Sequence, residues 1–249
     1  CVIVCDNATL ERMIGLEYYQ NATVSIVVDH HASNEGYGDV NWTEVSEACA
    51  ENVYHMLDPQ CLRKAAEAEE HPTAADYIYL GIAHDTGGMA RAKKSTLLAL
   101  VDLMSMGVDH GEIMKTLHSD TLDTLNKRGD IIRSARRAME GKVAYVIMDA
   151  REHTEKKIIY EDIHCVSTIL RDCDDIELGF TMYEEEPDRW RCSFRSDGKW
   201  IDVNELITPF GGGGHAGAAG LRKRTSDMEE LRSQILEKVK KLRAEKCFT

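Results

Sequence analysis

"VSIVVDHHASNEG", residues 24–36, sets a run of apolar, largely β-branched residues against an aspartate and two adjacent histidines. An unbroken rather than alternating apolar run predicts a strand buried on both faces, the pattern of a parallel sheet. The polar triplet at its carboxyl end then has two readings: a metal site, or polar residues where the chain leaves the core. The opening residues repeat the pattern, since "CVIVCD" is a second apolar run, ending in Asp6. Between the two, "ATLERMIGLEYY" supplies a short crossover helix, the connection that parallel neighbours need.

In α/β sheets of this kind ligands gather beyond the carboxyl ends of the strands. Three polar groups fall at such positions: Asp6, then Asp29-His30-His31, then Asp85 in "HDTGG". A lone aspartate there is most simply a loop cap, but three sites of compatible type favour a metal. Carboxylate and imidazole without thiolate suit Mn²⁺ or Mg²⁺ better than structural zinc. Adjacent histidines on extended backbone face opposite ways. One is then left for the metal and the other for the substrate or a supporting partner.

Outward from this site, Val45, Ala48, Cys49, Val53, Met56 and Leu57 recur at helical spacing within 43–57, and Leu97, Leu98, Leu100, Val101 and Met104 form a second stripe stopped at Gly107. Residues 118–139 are charged and helix-compatible and predict a connector. Beyond them "KVAYVIMD" predicts a strand and "VSTILRDC" a helix, and "IELGFTMYEEEPDRWRCSFRSDG" predicts two strands joined around Pro187. In the second of these, Trp190, Cys192 and Phe194 alternate with Arg191, Ser193 and Arg195, which puts Arg195 on the polar face. A final helix from Ser226, with a capping box to Glu229, would bury Met228, Leu231, Ile235, Val239 and Leu242. The expected fold is α/β: a parallel-sheet domain over 1–117, a helical connector over 118–139 and a smaller α+β domain over 140–249.

That second domain contains "PFGGGGHAGAAG", residues 209–220. A glycine run can be only a flexible turn; its alternative is backbone bare enough for N–H groups to approach an anion. His215 and the guanidinium fork of Arg195 in the same domain favour the anion.

Composition bounds the function. The chain has 249 residues and a net charge of −13, which argues against a surface tracking long nucleic acid but leaves room for a short nucleotide at a local site. No apolar run approaches the roughly 18–20 residues that span a membrane. Eight scattered cysteines without a C-x-x-C pair suggest reduced thiols, and a cytoplasmic setting is expected.

The order D…DHH…DTG followed by RS…GGGGH, and above all "SFRSDGKWIDVNELITPFGGGGHAGAAG", resembles the DHH phosphoesterases with a DHHA1 domain. Within them it looks closest to the oligoribonuclease and 3′-phosphoadenosine 5′-phosphate phosphatase (nanoRNase) branch. The resemblance implies hydrolysis of short oligoribonucleotides or 3′,5′-nucleoside bisphosphates by two-metal hydroxide attack, with Mn²⁺ as cofactor and Mg²⁺ as the alternative. It implies Asp6, His30 and Asp85 as metal ligands, His31 against the scissile phosphate and Asp29 as support for the histidines. Arg195, Ser196 and Gly212, Gly213, Gly214 and His215 would grip the substrate, with Asn204 shaping that pocket. A homodimer and no membrane association are expected.

The family's first motif, a histidine and two aspartates that should precede Asp6, is not in these residues, and the chain opens without methionine on a strand; the expectation is that this motif lies upstream. Two other readings stand beside the enzyme. One is a cyclic or linear dinucleotide phosphodiesterase. The other is a non-catalytic nucleotide-binding module with an incomplete metal centre.

Overall fold

The computed structural model describes residues 1–10, 13–68 and 71–246. The chain divides into two compact units, residues 1–119 and 120–249. In the first unit β1 (Val2–Cys5), β2 (Ser25–Val28) and β3 (Val40–Trp42) form a parallel sheet in the order β1-β2-β3. Cys5 pairs with Val28, so the ends of both strands, and with them Asp6 and Asp29, come side by side. Helix α1 (Leu16–Gln20) is shorter than the expected crossover, whose residues 11 and 12 lie outside the described residues.

Helices α2 (Cys49–Met56), α3 (Pro59–Ala68), α4 (Ala74–Asp85), α5 (Lys94–Ser105) and α6 (His110–His118) follow. Their core gathers Leu62, Ile78, Tyr79, Ile82, Leu100, Leu103 and Val108. Helix α4 starts cleanly because Thr73 and Asp76 close a reciprocal capping box.

Three expectations for this unit need correction. β1 is not buried on both faces, since Ile3 is 63% exposed, while Val27 and Val28 of β2 are buried. The helix expected over 43–57 starts only at Cys49 and buries Glu51 and Asn52, leaving Val45, Met56 and Leu57 exposed. In α5 the buried face is Thr96, Ala99, Leu100 and Leu103, so Leu97, Leu98, Val101 and Met104 face outward. Of the expected stripe Leu100 alone is buried, so most of it points the other way.

The second unit opens with α7 (Leu122–Arg133) and β4 (Arg136–Ala138), then β5 (Val143–Met148), α8 (Ala150–Lys156), α9 (Tyr160–Arg171), β6 (Leu178–Glu186) and β7 (Arg189–Ser196). It ends with α10 (Val203–Ile207), β8 (Gly213–His215), β9 (Ala218–Arg224) and α11 (Met228–Lys246). Six strands run in the order β4-β5-β6-β7-β9-β8, with β5 and β6 parallel and the other neighbours antiparallel. The residues expected to be a connector belong to this unit: Ile131 of α7 is buried with Ile163 and Val166 of α9, and β4 pairs with β5.

Strand alternation splits the sheet's side chains between two cores. One face sends Tyr145, Phe180, Met182, Trp190, Cys192 and Phe194 against α10 and α11. On α11 the stripe Met228, Leu231, Ile235, Val239 and Leu242 is buried as its spacing predicts, but the cap is Asp227, whose carboxylate accepts the Glu230 N–H. The other face packs Ala144, Val146, Met148 and Tyr183 under α7 and α9. Among the described residues no helix is long and apolar enough to cross a membrane.

Candidate metal centre and anion-binding face

At the ends of β1 and β2, Asp6, His30 and His31 each bring one ligand atom within 4.8 Å of the others. Asp6 sits in the left-handed region at φ 56°, a conformation that aspartate tolerates better than most residues. Its N–H is bonded to Val28 O, so the turn is anchored to the neighbouring strand.

The histidines are each fixed through one ring nitrogen. His30 directs Nδ1 at the Ser46 carbonyl, 3.2 Å away, which leaves Nε2 facing Asp6 Oδ1 at 3.3 Å. His31 directs Nδ1 at Asp29 Oδ1 at 2.7 Å. An N–H given to a carbonyl or carboxylate is the usual way a ligating imidazole is oriented. Asp29 is fully buried, and its second oxygen accepts from Asn34 Nδ2 at 2.7 Å. The hydrogen bond between Asp6 and His30 lowers the carboxyl's pKa and raises the imidazole's.

Asp85 is the last residue of α4, not a strand end as the sequence suggested, because the helix runs without a break from Ala74. It lines one cavity of about 640 Å³ with Asp6, Cys5, Cys49 and His84. Its charge is felt at His30, but it lies outside the three-residue cluster. The two cysteines and His84 carried no pattern that singled them out. Burial pushes the Cys49 thiol up to about 12, and its sulfur lies 3.2 Å from the Val28 carbonyl oxygen, to which it donates.

In the second unit, direct cross-strand pairing sets Arg195, Ala218 and His215 in one row across β7, β9 and β8, on the face away from α11. Arg195 Nη1 donates to Phe194 O at 2.9 Å, and Nη2 lies 3.3 Å from His164 Nε2. Asn204 Oδ1 accepts the Gly214 N–H at 2.9 Å, tying α10 to β8.

Two expectations change here. The Ser196 hydroxyl is buried and committed to Ile201 O at 2.6 Å and Ala216 O at 3.2 Å, so it holds the turn rather than reaching a substrate. Half of the glycine run is strand rather than loop: Gly213 and Gly214 lie in β8, and Gly211 and Gly212 precede it. A Cβ at Gly212 would meet Ile207 Cδ1 at 2.5 Å, and one at Gly214 would meet Ala218 O at 2.4 Å. Close packing therefore requires those two glycines.

Tyr160 and His164 of α9 were invisible to sequence reasoning. Tyr160 Oη, Ser193 Oγ and His164 Nδ1 lie 2.7–2.9 Å from one another. A guanidinium can only donate, so His164 Nε2 accepts and the imidazole is neutral with its proton on Nδ1. Burial, then the charges of Arg195 and Arg191, lower its pKa.

The sign follows from linkage. Below about pH 6.5, where an unfolded histidine takes up a proton, the folded state lags and stability falls with pH. The His164→Gln variant is expected to lose less stability than wild type between pH 7.5 and 5, read from denaturation midpoints. Identical slopes would show that His164 is not held neutral.

Comparison with known proteins adds the lineage. Residues 140–241 match the DHHA1 domain. The chain is 28% identical over 227 residues to the bifunctional oligoribonuclease and PAP phosphatase NrnA of Bacillus subtilis, covering 88% of this chain and 68% of that protein. The protein of the same name from Thermus thermophilus is 23% identical over 249 residues, covering 96% of this chain and 70% of that one. The crystal structure of an exopolyphosphatase-related protein from Bacteroides fragilis shares the fold, with a TM-score of 0.84 at 20% identity over 97% of this chain and 71% of that one.

A parallel sheet whose second strand runs into the Asp29-His30-His31 triplet, followed by a DHHA1 domain, is the arrangement of the two-domain DHH phosphoesterases. Residues 140–241 thus form a DHHA1 domain, and most of the chain is similar to the oligoribonuclease and PAP phosphatase NrnA of several bacteria.

Proposed function

We propose that this protein is a divalent-metal-dependent phosphoesterase that hydrolyses short oligoribonucleotides, 3′,5′-nucleoside bisphosphates, or both. The observation that carries the reading is the convergence of Asp6, His30 and His31, with His30 oriented through Nδ1 so that its Nε2 faces Asp6 and His31 held by Asp29. The donor set fits the ion: carboxylate oxygen and imidazole nitrogen favour Mn²⁺, with Mg²⁺ second. Asp6, His30 and Asp85 would hold metal. When bound, such cations lower the pKa of water and offset charge at phosphorus.

The protein's own residues do the rest. Asp29 fixes the tautomer of His31, so that its Nε2 is aimed at the phosphate. In the second unit Arg195 and His215 would grip a further phosphate, over a floor that Asn204 and the glycines shape. The names of the NrnA relatives support both substrate classes. The expected cytoplasmic setting fits the seven described cysteines, all free thiols.

The test is hydrolysis, by full-length protein with Mn²⁺, of a panel of bisphosphates, di- to pentanucleotides and cyclic dinucleotides. Turnover of short RNA or bisphosphates supports the reading, and no turnover of either sinks it. Arg195→Ala is expected to raise KM roughly 10–150-fold for substrates with a second phosphate, as loss of a charge-assisted hydrogen bond implies. Equal loss on substrates lacking that phosphate would refute the arginine's role.

A further inference from the structure

Beyond the row of Arg195 and His215, the same face of β7 and β9 carries more positive charge than the grip on one phosphate calls for. Pairing places Ser193 beside Gly220 and Gly213, Arg191 beside Arg222, and Arg189 beside Arg224. Alternation sends all of these toward the face opposite α11. The order along the strands is thus a cationic row, a bare row, then two rows of paired arginines. Successive rows lie about 7 Å apart and the whole spans about 20 Å. Gly220, Arg222 and Arg224 are exposed.

The charge is only partly compensated. Glu185, the odd residue where the β6–β7 register shifts, lies 3.4 Å from Arg191 Nη1, 3.5 Å from Arg222 Nη2 and 3.9 Å from Arg189 Nε. Glu186 lies 3.4 Å from Arg189. Glu161 of α9 adds a carboxylate near Tyr183 and His164. Among the described residues, Arg189, Arg191 and Arg222 thus share Glu185 and Glu186, in a chain whose net charge is −13. Arg191 is also stacked 3.5 Å above the Tyr160 ring, which fixes its direction.

Like charges directly opposite one another destabilise a sheet. Two consecutive arginine–arginine pairs are thus a poor choice for folding, and exposed ion pairs to one shared glutamate contribute little. In the row between the cationic ones Ser193 is buried beneath Tyr160 and His164, whereas Gly220 is exposed and Gly213 half-buried, so the room for a sugar or phosphate lies over β9 and β8.

We propose that the β7–β9 arginine rows form a track for the successive phosphates of a short single-stranded RNA whose first phosphate lies at Arg195 and His215. The inference rests on the proposed function and adds a length preference to it. Substrates of three or more nucleotides occupy Arg191/Arg222 and Arg189/Arg224, whereas a nucleoside bisphosphate does not reach them.

The experiment measures binding of a 3′,5′-bisphosphate and of a pentanucleotide to full-length wild type and to an Arg222→Ser/Arg224→Ser variant across salt concentrations. The variant is expected to bind the bisphosphate as wild type does and the pentanucleotide more weakly. Its log K against log[salt] slope should be shallower by about 1.4, for two lost contacts to a single strand. Folding midpoints should be unchanged or raised, because like-charge pairs are removed. An unchanged pentanucleotide slope, or equal weakening on both ligands, overturns the track while leaving the phosphoesterase reading intact. Failure of wild type to bind either ligand overturns both.

Discussion

Replacing Asp6 with asparagine is expected to lower Mn²⁺-dependent hydrolysis by more than about 100-fold, since loss of a partner one shell further from a metal already costs roughly 10–100-fold. Asparagine accepts the left-handed φ of 56° that this position demands. The substitution thus removes charge without straining the turn, and the backbone bond to Val28 is kept. His30 loses the carboxylate that faces its Nε2 at 3.3 Å. Steady-state rates, with circular dichroism and Mn²⁺ titration in parallel, check the expectation. Activity within tenfold of wild type in a folded variant would show that Asp6 holds no metal.

Phe180→Ala is expected to destabilise the second unit by roughly 3–5 kcal/mol, the range for truncating a buried phenylalanine. Its ring is fully buried and stacked on Tyr145 at 5.1 Å and on Phe194 at 5.3 Å. No neighbouring side chain is placed to fill the space, because Tyr145, Phe180 and Phe194 occupy adjacent strands in one layer. The loss reaches the anion-binding face through the backbone, since the Phe194 carbonyl anchors Arg195 Nη1. Chemical denaturation gives the stability change. A loss below about 1 kcal/mol would mean that the sheet repacks around the missing ring.

The parts of the fold that could be read from sequence share a physical basis. Unbroken apolar runs marked β1 and β2, and Pro187 between two alternating segments marked the β6–β7 hairpin. The α11 stripe was correct to the residue because a two-sided helix at the surface of a sheet has one phase that works. α5 failed for the complementary reason. Its apolar residues surround more than half of the helix, so periodicity left the buried face undetermined, and the structure chose the side holding Thr96 and Ala99. The short strands β3 and β4 carry little apolar signal of their own and are defined by their partners.

The site was legible where its residues are adjacent in sequence or follow a strand. Asp6, His30 and His31 come together at the ends of β1 and β2, and Asp85 lines a cavity with Asp6 from a helix end. Tyr160 and His164 could not be found that way, because a tyrosine and a histidine four apart on a helix carry no distinguishing signal. Their meaning comes from Ser193 and Arg195 on a strand about thirty residues later. Ser196 illustrates the reverse error, a motif serine whose hydroxyl is used up by the turn.

The stacked and ion-paired Arg191, together with Gly220 and Gly213 on the neighbouring strands, has a thermodynamic consequence. Ordering a long flexible side chain on binding costs about 0.5–1.5 kcal/mol of conformational entropy. Glycine has no rotamers to lose, and Arg191 is already confined before any ligand arrives. This surface is pre-organised, so little of the attraction between it and a phosphate is lost to immobilising the protein.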